Sequence, residues 1–251
     1  MAKTFTMRVF RGDAGGGDFK EYTVEGGEGM VVLDVVHRIQ ATHAPDLACR
    51  WNCKAGKCGS CSAEINGKPR LMCMTRMDIF EENEVVSVSP IRTFPIIRDL
   101  VTDVSYNYEK AKQVPSLRLP PPDPDGKYRM KQEDVERAQE FHKCIECFLC
   151  QDVCHVIRDH DLKKRFSGPR FFIKIAGLEM HPLDTRDRTD FVREQAGVGL
   201  CNITKCCTEV CPEHIHITDN GIIPMKERMA DNFDPIVWVV RKLRGHRKAT
   251  P

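Results

Sequence analysis

Cys144-Ile145-Glu146-Cys147-Phe148-Leu149-Cys150-Gln151-Asp152-Val153-Cys154 decides how this chain is read. The spacing is C-x2-C-x2-C-x3-C, a run that holds iron–sulfur cubanes. Three cysteines three residues apart on a tight turn can wrap one cubane, while the fourth points away and can ligate a neighbour. A second run is therefore required, and Cys201, Cys207 and Cys211, followed by Pro212, provide it. Subtracting 57 from their numbers returns 144, 150 and 154. The position equivalent to Cys147 is Thr204.

Exchanging the last cysteines gives two unequal sites of bacterial-ferredoxin type. Cys144, Cys147, Cys150 and Cys211 form a four-thiolate set suited to [4Fe–4S]. Cys201, Cys207 and Cys154 form a three-thiolate set. A cubane corner facing Thr204 has no thiolate to hold its iron, so a [3Fe–4S] cluster is expected there. The alternative is a [4Fe–4S] cluster whose fourth ligand is water or the Thr204 hydroxyl. Cys206 competes with Cys207 for the third position, but only Cys207 preserves the repeat spacing.

The chain has 251 residues, enough for two small domains, and its net charge of +2 gives no indication of a nucleic-acid partner. Thirteen cysteines would suit a disulfide-rich secreted protein. However, Met1-Ala2-Lys3-Thr4-Phe5 runs straight into a strand-like alternation and not into a signal peptide. The cysteines also fall in metal-ligand runs, which favours a reducing compartment. The longest apolar stretches, Met30 to Val36 and Ile236 to Val240, fall far short of the roughly 20 residues that span a bilayer. The expectation is a protein soluble by itself, or peripheral through a partner.

Thr4 to Arg11 alternates, with Phe5, Met7 and Val9 on one side, and reads as a strand. Gly12 to Gly17 reads as a flexible turn and Phe19 to Val24 as a second strand, together a hairpin. These glycines lack the helix start of a phosphate loop. Val32, Val35, Val36 and Ile39 give Val31 to Thr42 a helical face. His37 and His43 read as surface or helix-end residues.

Cys53, Cys58 and Cys61, with Cys73 further on, form the C-x4-C-x2-C pattern of a plant-type [2Fe–2S] site. Gly56 and Gly59 supply the permissive backbone a cluster-wrapping loop needs, so that its amides can point at sulfur. Asn66-Gly67 signals a hairpin turn before the fourth ligand. Zinc is the alternative for four cysteines, and the spacing argues against it. Cys49 reads as a small buried hydrophobe. Lys54 and Lys57 sit inside the loop and should make this centre less reducing than a free plant-type ferredoxin at about −400 mV.

Glu84 to Ser89 reads as a strand closing the first domain. Residues 91–112 read as a connecting helix with Ile96, Leu100 and Val104 on one face. Pro115 to Asp125 holds five prolines and should be an extended surface segment. Beyond it, Gln132 to Lys143, Phe171 to Leu178 and Asp187 to Ala196 read as helices, and Asp234-Pro235 as a helix start. The basic stretch Arg241 to Lys248 suits either solvent or anionic lipid head groups. The fold expected is α+β: an N-terminal β-grasp plant-type ferredoxin domain, then an α-helical bacterial-type ferredoxin domain. The divisions are 1–112 for the [2Fe–2S] domain with its connecting helix, 113–130 for a proline-rich linker, and 131–251 for the helical two-cluster domain.

A plant-type domain followed by a two-cluster domain resembles the iron–sulfur subunit of succinate dehydrogenase and fumarate reductase. The resemblance covers essentially the whole chain and is anchored by Arg50 to Cys61, Cys73, Cys144 to Cys154 and Cys201 to Pro212. It implies the ligand sets given above, which use eleven of the thirteen cysteines and leave Cys49 and Cys206. It also implies a flavoprotein partner that oxidises succinate at FAD, and a membrane anchor where quinone is reduced. Electrons would pass through [2Fe–2S], [4Fe–4S] and [3Fe–4S] in turn. The implied location is the cytoplasmic face of the cell membrane, or the matrix side of an inner mitochondrial membrane, held through partners.

Two positions depart from many members of that family: His155 replaces a proline and Asn202 a histidine. Specific quinone contacts are therefore not carried over. The chain shows no acid–base or nucleophilic constellation, so substrate chemistry belongs to a partner. The alternatives are the same relay run in reverse in a fumarate reductase, and a free multi-cluster carrier. A zinc-dependent scaffold or nucleic-acid binder is disfavoured by the near-neutral charge.

Overall fold

The computed structural model describes residues 3–81, 83–231, 235–236 and 239–240. Asp234 and the basic stretch 241–248 lie outside the described residues. The architecture is α+β: a mixed, β-grasp-like sheet comes first and a helical ferredoxin region follows.

Strand β1 (Lys3–Asp13) pairs antiparallel with β2 (Gly16–Gly26) along its whole length and parallel with β5 (Val85–Ser89) on its other side. Beyond β5 lies the hairpin of β3 (Ser62–Ile65) and β4 (Lys68–Leu71), turning at Asn66 and Gly67, both with positive φ as expected. Helix α1 (Val32–Thr42) lays Val32, Leu33, Val35, Val36 and Ile39 onto Phe5, Met7 and Val9. Burying each such side chain contributes about 1.5–3 kcal/mol.

Two sequence expectations are corrected here. Gly12 to Gly17 is not a flexible turn, because β1 and β2 continue through it and leave only Ala14-Gly15 to reverse the chain. A Cβ on Gly12 or Gly17 would strike the opposite strand at 2.4 Å, so the glycines serve close strand pairing. Residues 91–112 are not one helix. Ile96–Arg98 and Val101–Thr102 are short antiparallel strands, β6 and β7, and only Ser105–Gln113 (α2) is helical. Between the strands Asp99 sits at φ 49° with its carboxylate buried. It accepts bonds from the N–H groups of Gly12 (3.0 Å) and Ala48 (2.8 Å) and from Arg11 Nε (3.1 Å). Three bonds to a buried carboxylate outweigh a helical apolar spacing.

Residues 114–131 form the expected extended segment, exposed over most of its length. Fully buried Arg188 pins its start by donating to the carbonyls of Pro115 (2.8 Å) and Ser116 (2.9 Å) while pairing with Asp184 (2.6 Å) and Glu179 (3.0 Å). That use of Arg188 displaces the helix expected over 187–196, which begins at Thr189 and runs as a π-helical turn, Phe191–Gln195. Helices α3 (Gln132–His142) and α6 (Pro169–Glu179) pack on each other and on the π-helical turn Ile217–Ile222, which leads into α8 (Ile223–Asp231). The second core lies between them, built on Phe141, Phe172, Ile173, Ile175 and Ile222. Phe148 and Leu149, from the first bacterial-type run, pack instead into the sheet domain's core.

Candidate cluster sites

The two bacterial-type runs are copies in backbone as well as in sequence. Glu146 and Phe148 have φ of 56° and 61°, and 57 residues later Ile203 and Lys205 both have φ of 63°. Helix α4 (Leu149–Asp152) corresponds to α7 (Cys206–Glu209). The turn bonds repeat too: the N–H groups of Gln151 and Asp152 donate to Phe148 O, and those of Thr208 and Glu209 to Lys205 O. Left-handed residues alternating with ordinary ones curl a loop so that its amides face inward. By this register Cys206 stands where Leu149 stands, and Cys207 where Cys150 stands.

Cys144, Cys147, Cys150 and Cys211 line one apolar cavity, with Arg170, Ile173, Pro212 and Ile217. Cys154, Cys201 and Cys207 line a second, with Thr204, Cys206 and Thr218. The last cysteines of the two runs have thus changed places, and Thr204 faces the second cavity at the corner filled by Cys147 in the first. Cys206 also borders that cavity, its thiol 3.7 Å from the Thr204 carbonyl.

The donor set fits negatively charged clusters. The backbone N–H of Leu149 serves Cys147; those of Glu213 and Ile215 serve Cys211; those of Val156 and Ile157 serve Cys154. In the plant-type loop, the N–H groups of Ala55 and Lys57 both approach Cys53 Sγ at 3.3 Å, and Cys73 N–H approaches Cys61 Sγ at 3.5 Å. Lys54, Gly56 and Gly59 have positive φ, which turns those amides inward. Burial pushes the Cys147 and Cys61 thiols up to about 12 and Cys154 to about 11. Thiolates there need iron's positive charge to offset lost hydration. Cys58 goes the other way, to about 6. Burial opposes ionisation, but hydrogen bonds from the Ser60 side chain and the Cys53 and Ser60 backbone outweigh it. Cys49, expected as a small buried hydrophobe, is half-buried against the sheet domain's core, where burial raises its thiol to about 12.

The [2Fe–2S] loop and the first bacterial-type run touch backbone to backbone. A Cβ on Gly59 (φ 67°) would lie 2.7 Å from Cys147 Cα and from Ile145 O. Ser62 Oγ is 2.8 Å from Cys147 O and 3.0 Å from Gly59 O, and so ties both loops. Lys57 pairs with Glu213, beside Cys211, at 2.9 Å, and Lys54 lies 3.9 Å from Asp34. Both lysines are thus partly neutralised, which reduces the field they exert on the centre. His43 ends α1 as expected, while His37 is half-buried against Trp51, with ring centroids 4.8 Å apart. His155 and Asn202, on separate runs, meet at the mouth of the second cavity, with Nε2 and Nδ2 2.7 Å apart.

Sequence reasoning missed Ser62, Glu213 and Thr218. None falls within a local ligand pattern, although a serine one residue after Cys61 could have drawn notice as a loop-to-loop donor.

Two cysteine-lined cavities behind a plant-type cluster loop define a multi-centre iron–sulfur electron carrier. The sequence matches a 2Fe-2S iron-sulfur cluster binding domain over residues 6–109 and a 4Fe-4S dicluster domain over residues 140–215. The fumarate reductase iron-sulfur subunit of Mycobacterium tuberculosis is 33% identical, over 78% of this chain and 80% of that one. A chain of the Mycobacterium smegmatis Sdh1 complex, solved in the apo form, superposes with a TM-score of 0.91 at 66% identity. That match covers 94% of this chain and all of the other. An uncharacterized iron-sulfur protein of Methanococcus maripaludis is 29% identical over 99% of this chain, which spans about half (49%) of that relative. The chain belongs to the family of succinate dehydrogenase and fumarate reductase iron–sulfur subunits. Among the described residues no helix is long and apolar enough to cross a membrane.

Proposed function

We propose that this chain carries electrons from the FAD of a succinate-oxidising flavoprotein to quinone at a membrane anchor. Succinate becomes fumarate at the partner's flavin, releasing two protons and two electrons, and the electrons leave singly through this chain. The resident clusters would supply one-electron redox chemistry. Cys53, Cys58, Cys61 and Cys73 would hold [2Fe–2S]; Cys144, Cys147, Cys150 and Cys211 would hold [4Fe–4S]; Cys154, Cys201 and Cys207 would hold [3Fe–4S]. Residues 1–112 and 131–251 act as the two cluster-bearing units, with 113–130 as the proline-rich linker between them. The subunit sits peripherally, through its partners, on the cytoplasmic or matrix side.

One observation carries this reading: the plant-type loop abuts the first bacterial-type run, that run and the second exchange their last cysteines, and exposed chain lies at the first and third sites. Cys53 is exposed, with Trp51 beside it 47% exposed. Cys147 and Cys150 are buried, and the neighbouring first-run backbone abuts Gly59. Asn202 to Lys205, around the third site, are exposed again. A relay needs such ends for its donor and acceptor, and the chain's own residues space the centres and exclude water between them. The Sdh1 relative supports succinate oxidation as the direction.

The test is anaerobic addition of succinate to the complex purified from its native membranes, followed by electron paramagnetic resonance. Succinate should abolish the oxidised three-iron signal. A three-iron signal that succinate leaves untouched, but reduced quinol with fumarate alters, would assign the reverse direction.

A further inference from the structure

Thr218 is the second residue of the π-helical turn Ile217–Ile222 and is 1% exposed. Its Oγ1 lies 3.4 Å from Cys207 Sγ inside the second cavity. A cluster-bound thiolate has no proton, so in that pair only the hydroxyl can donate. Its neighbours fix the same direction. The Thr218 N–H donates to Thr208 Oγ1 at 3.1 Å, and the Thr208 hydroxyl donates to Thr218 Oγ1 at 3.2 Å. The proton left on Thr218 is directed at sulfur. This is a three-step relay in which each bond polarises the next.

The equivalent corner of the first run is built differently. Counting back 57, Thr208 corresponds to Gln151, whose side-chain amide goes to Asn107 Oδ1 (3.3 Å) and Ser167 O (3.1 Å) and away from Cys150. A hydroxyl relay onto a ligand sulfur therefore belongs to one copy of the repeat. Hydrogen bonds to cluster sulfur stabilise the more negative, reduced state and raise the potential.

We infer that Thr218, oriented by Thr208, is a positioning residue that raises the reduction potential of the third centre relative to the second, making it the electron sink of the three. This rests on the ligand assignment proposed above and adds to it the group that sets the direction of flow within the chain.

The test is a potentiometric titration of the three-iron paramagnetic signal in the whole complex. Thr218→Val keeps the shape and removes the donor. The equilibrium constant for reduction should fall severalfold to tenfold, tenfold being 59 mV for one electron. Thr218→Ser should keep the wild-type midpoint. Thr208→Val, which leaves the donor in place but removes its polarising neighbour, should give a smaller drop of the same sign. A packing role alone would change thermal stability and leave every midpoint alone. If the three-iron signal is intact and Thr218→Val does not move its midpoint, the inference is wrong while the site assignment stands. If the wild-type complex has no three-iron signal, both fall. Should Thr218→Val fail to assemble, an unchanged midpoint in Thr208→Val overturns the inference.

Discussion

Residues 147–150 and 204–207 follow the same backbone path and meet opposite surroundings. The first stretch is buried: Phe148 and Leu149 enter the sheet domain's core, Gly59 abuts the backbone of Cys147, and the N–H of Thr93 donates to Asp152 Oδ1 at 3.1 Å. The second opens to the surface at Thr204 and Lys205, and Glu209, the counterpart of buried Asp152, is exposed. On the proposed assignment, what packs on the repeated loop divides its two copies between two tasks. The buried copy, with four thiolates, would relay, and the open copy, with three thiolates and the Thr218 hydroxyl beside Cys207, would face outward, where an acceptor can reach it.

The largest break in this comparison comes from making the copies alike. Thr204→Cys restores the missing ligand, and the expected outcome is complete loss of the three-iron signal in favour of a second four-iron centre of lower potential, read by electron paramagnetic resonance. Gly59→Ala should follow in size. Its φ of 67° and a Cβ only 2.7 Å from Cys147 Cα set backbone strain on top of overpacking. The cost is about 2–5 kcal/mol, measurable as loss of assembled complex or of the magnetic interaction between the first two centres. Ser62→Ala removes the hydroxyl that ties both loops and should lower thermal stability by about 1 kcal/mol with all three clusters retained.

How much of this could be read in the sequence depends on the range of the cause. Ligand spacing is local: C-x2-C-x2-C-x3-C fixes a loop's curl wherever it occurs, so the repeated backbone and the grouping of cysteines around two cavities were legible. Val32 to Ile39 likewise gave α1 through its apolar period. Ile96, Leu100 and Val104 misled because the same four-residue spacing arises when two short strands flank a buried turn. The cause of that turn, Asp99 bonded to Gly12 and Ala48, lies some 50 to 90 residues away in the chain. The glycines at 12 and 17 read as a loop because their packing partners lie on the opposite strand. Ser62, Glu213 and Thr218 stayed invisible for the same reason. Each acts on a group brought to it by the tertiary fold.

Smaller effects sharpen the comparison. Glu140 holds the π-helical turn that carries Thr218 through His216 N–H (2.7 Å) and Asn220. Burial opposes its ionisation, yet those bonds and the His216 ring hold its carboxyl below the usual range. Because the folded-state value is depressed, this contribution is present above the unfolded value, near 4.5, and is lost as pH falls through the lower folded one. Glu140→Gln should cost about half a kcal/mol near neutral pH after solvent screening, a difference from wild type that disappears in acid melts. Cys206→Ala should change no cluster signal at all, because Cys206 occupies the register of Leu149.

The most direct measurement is the electron paramagnetic resonance spectrum of the oxidised, iron-replete complex alongside its Thr204→Cys variant. The expected result is a three-iron signal in the wild type, near one spin per complex, that is absent from the variant. An iron-replete wild type with no such signal would mean that Cys206 or another group fills the fourth corner, and the unequal repeat would not be what separates relay from exit.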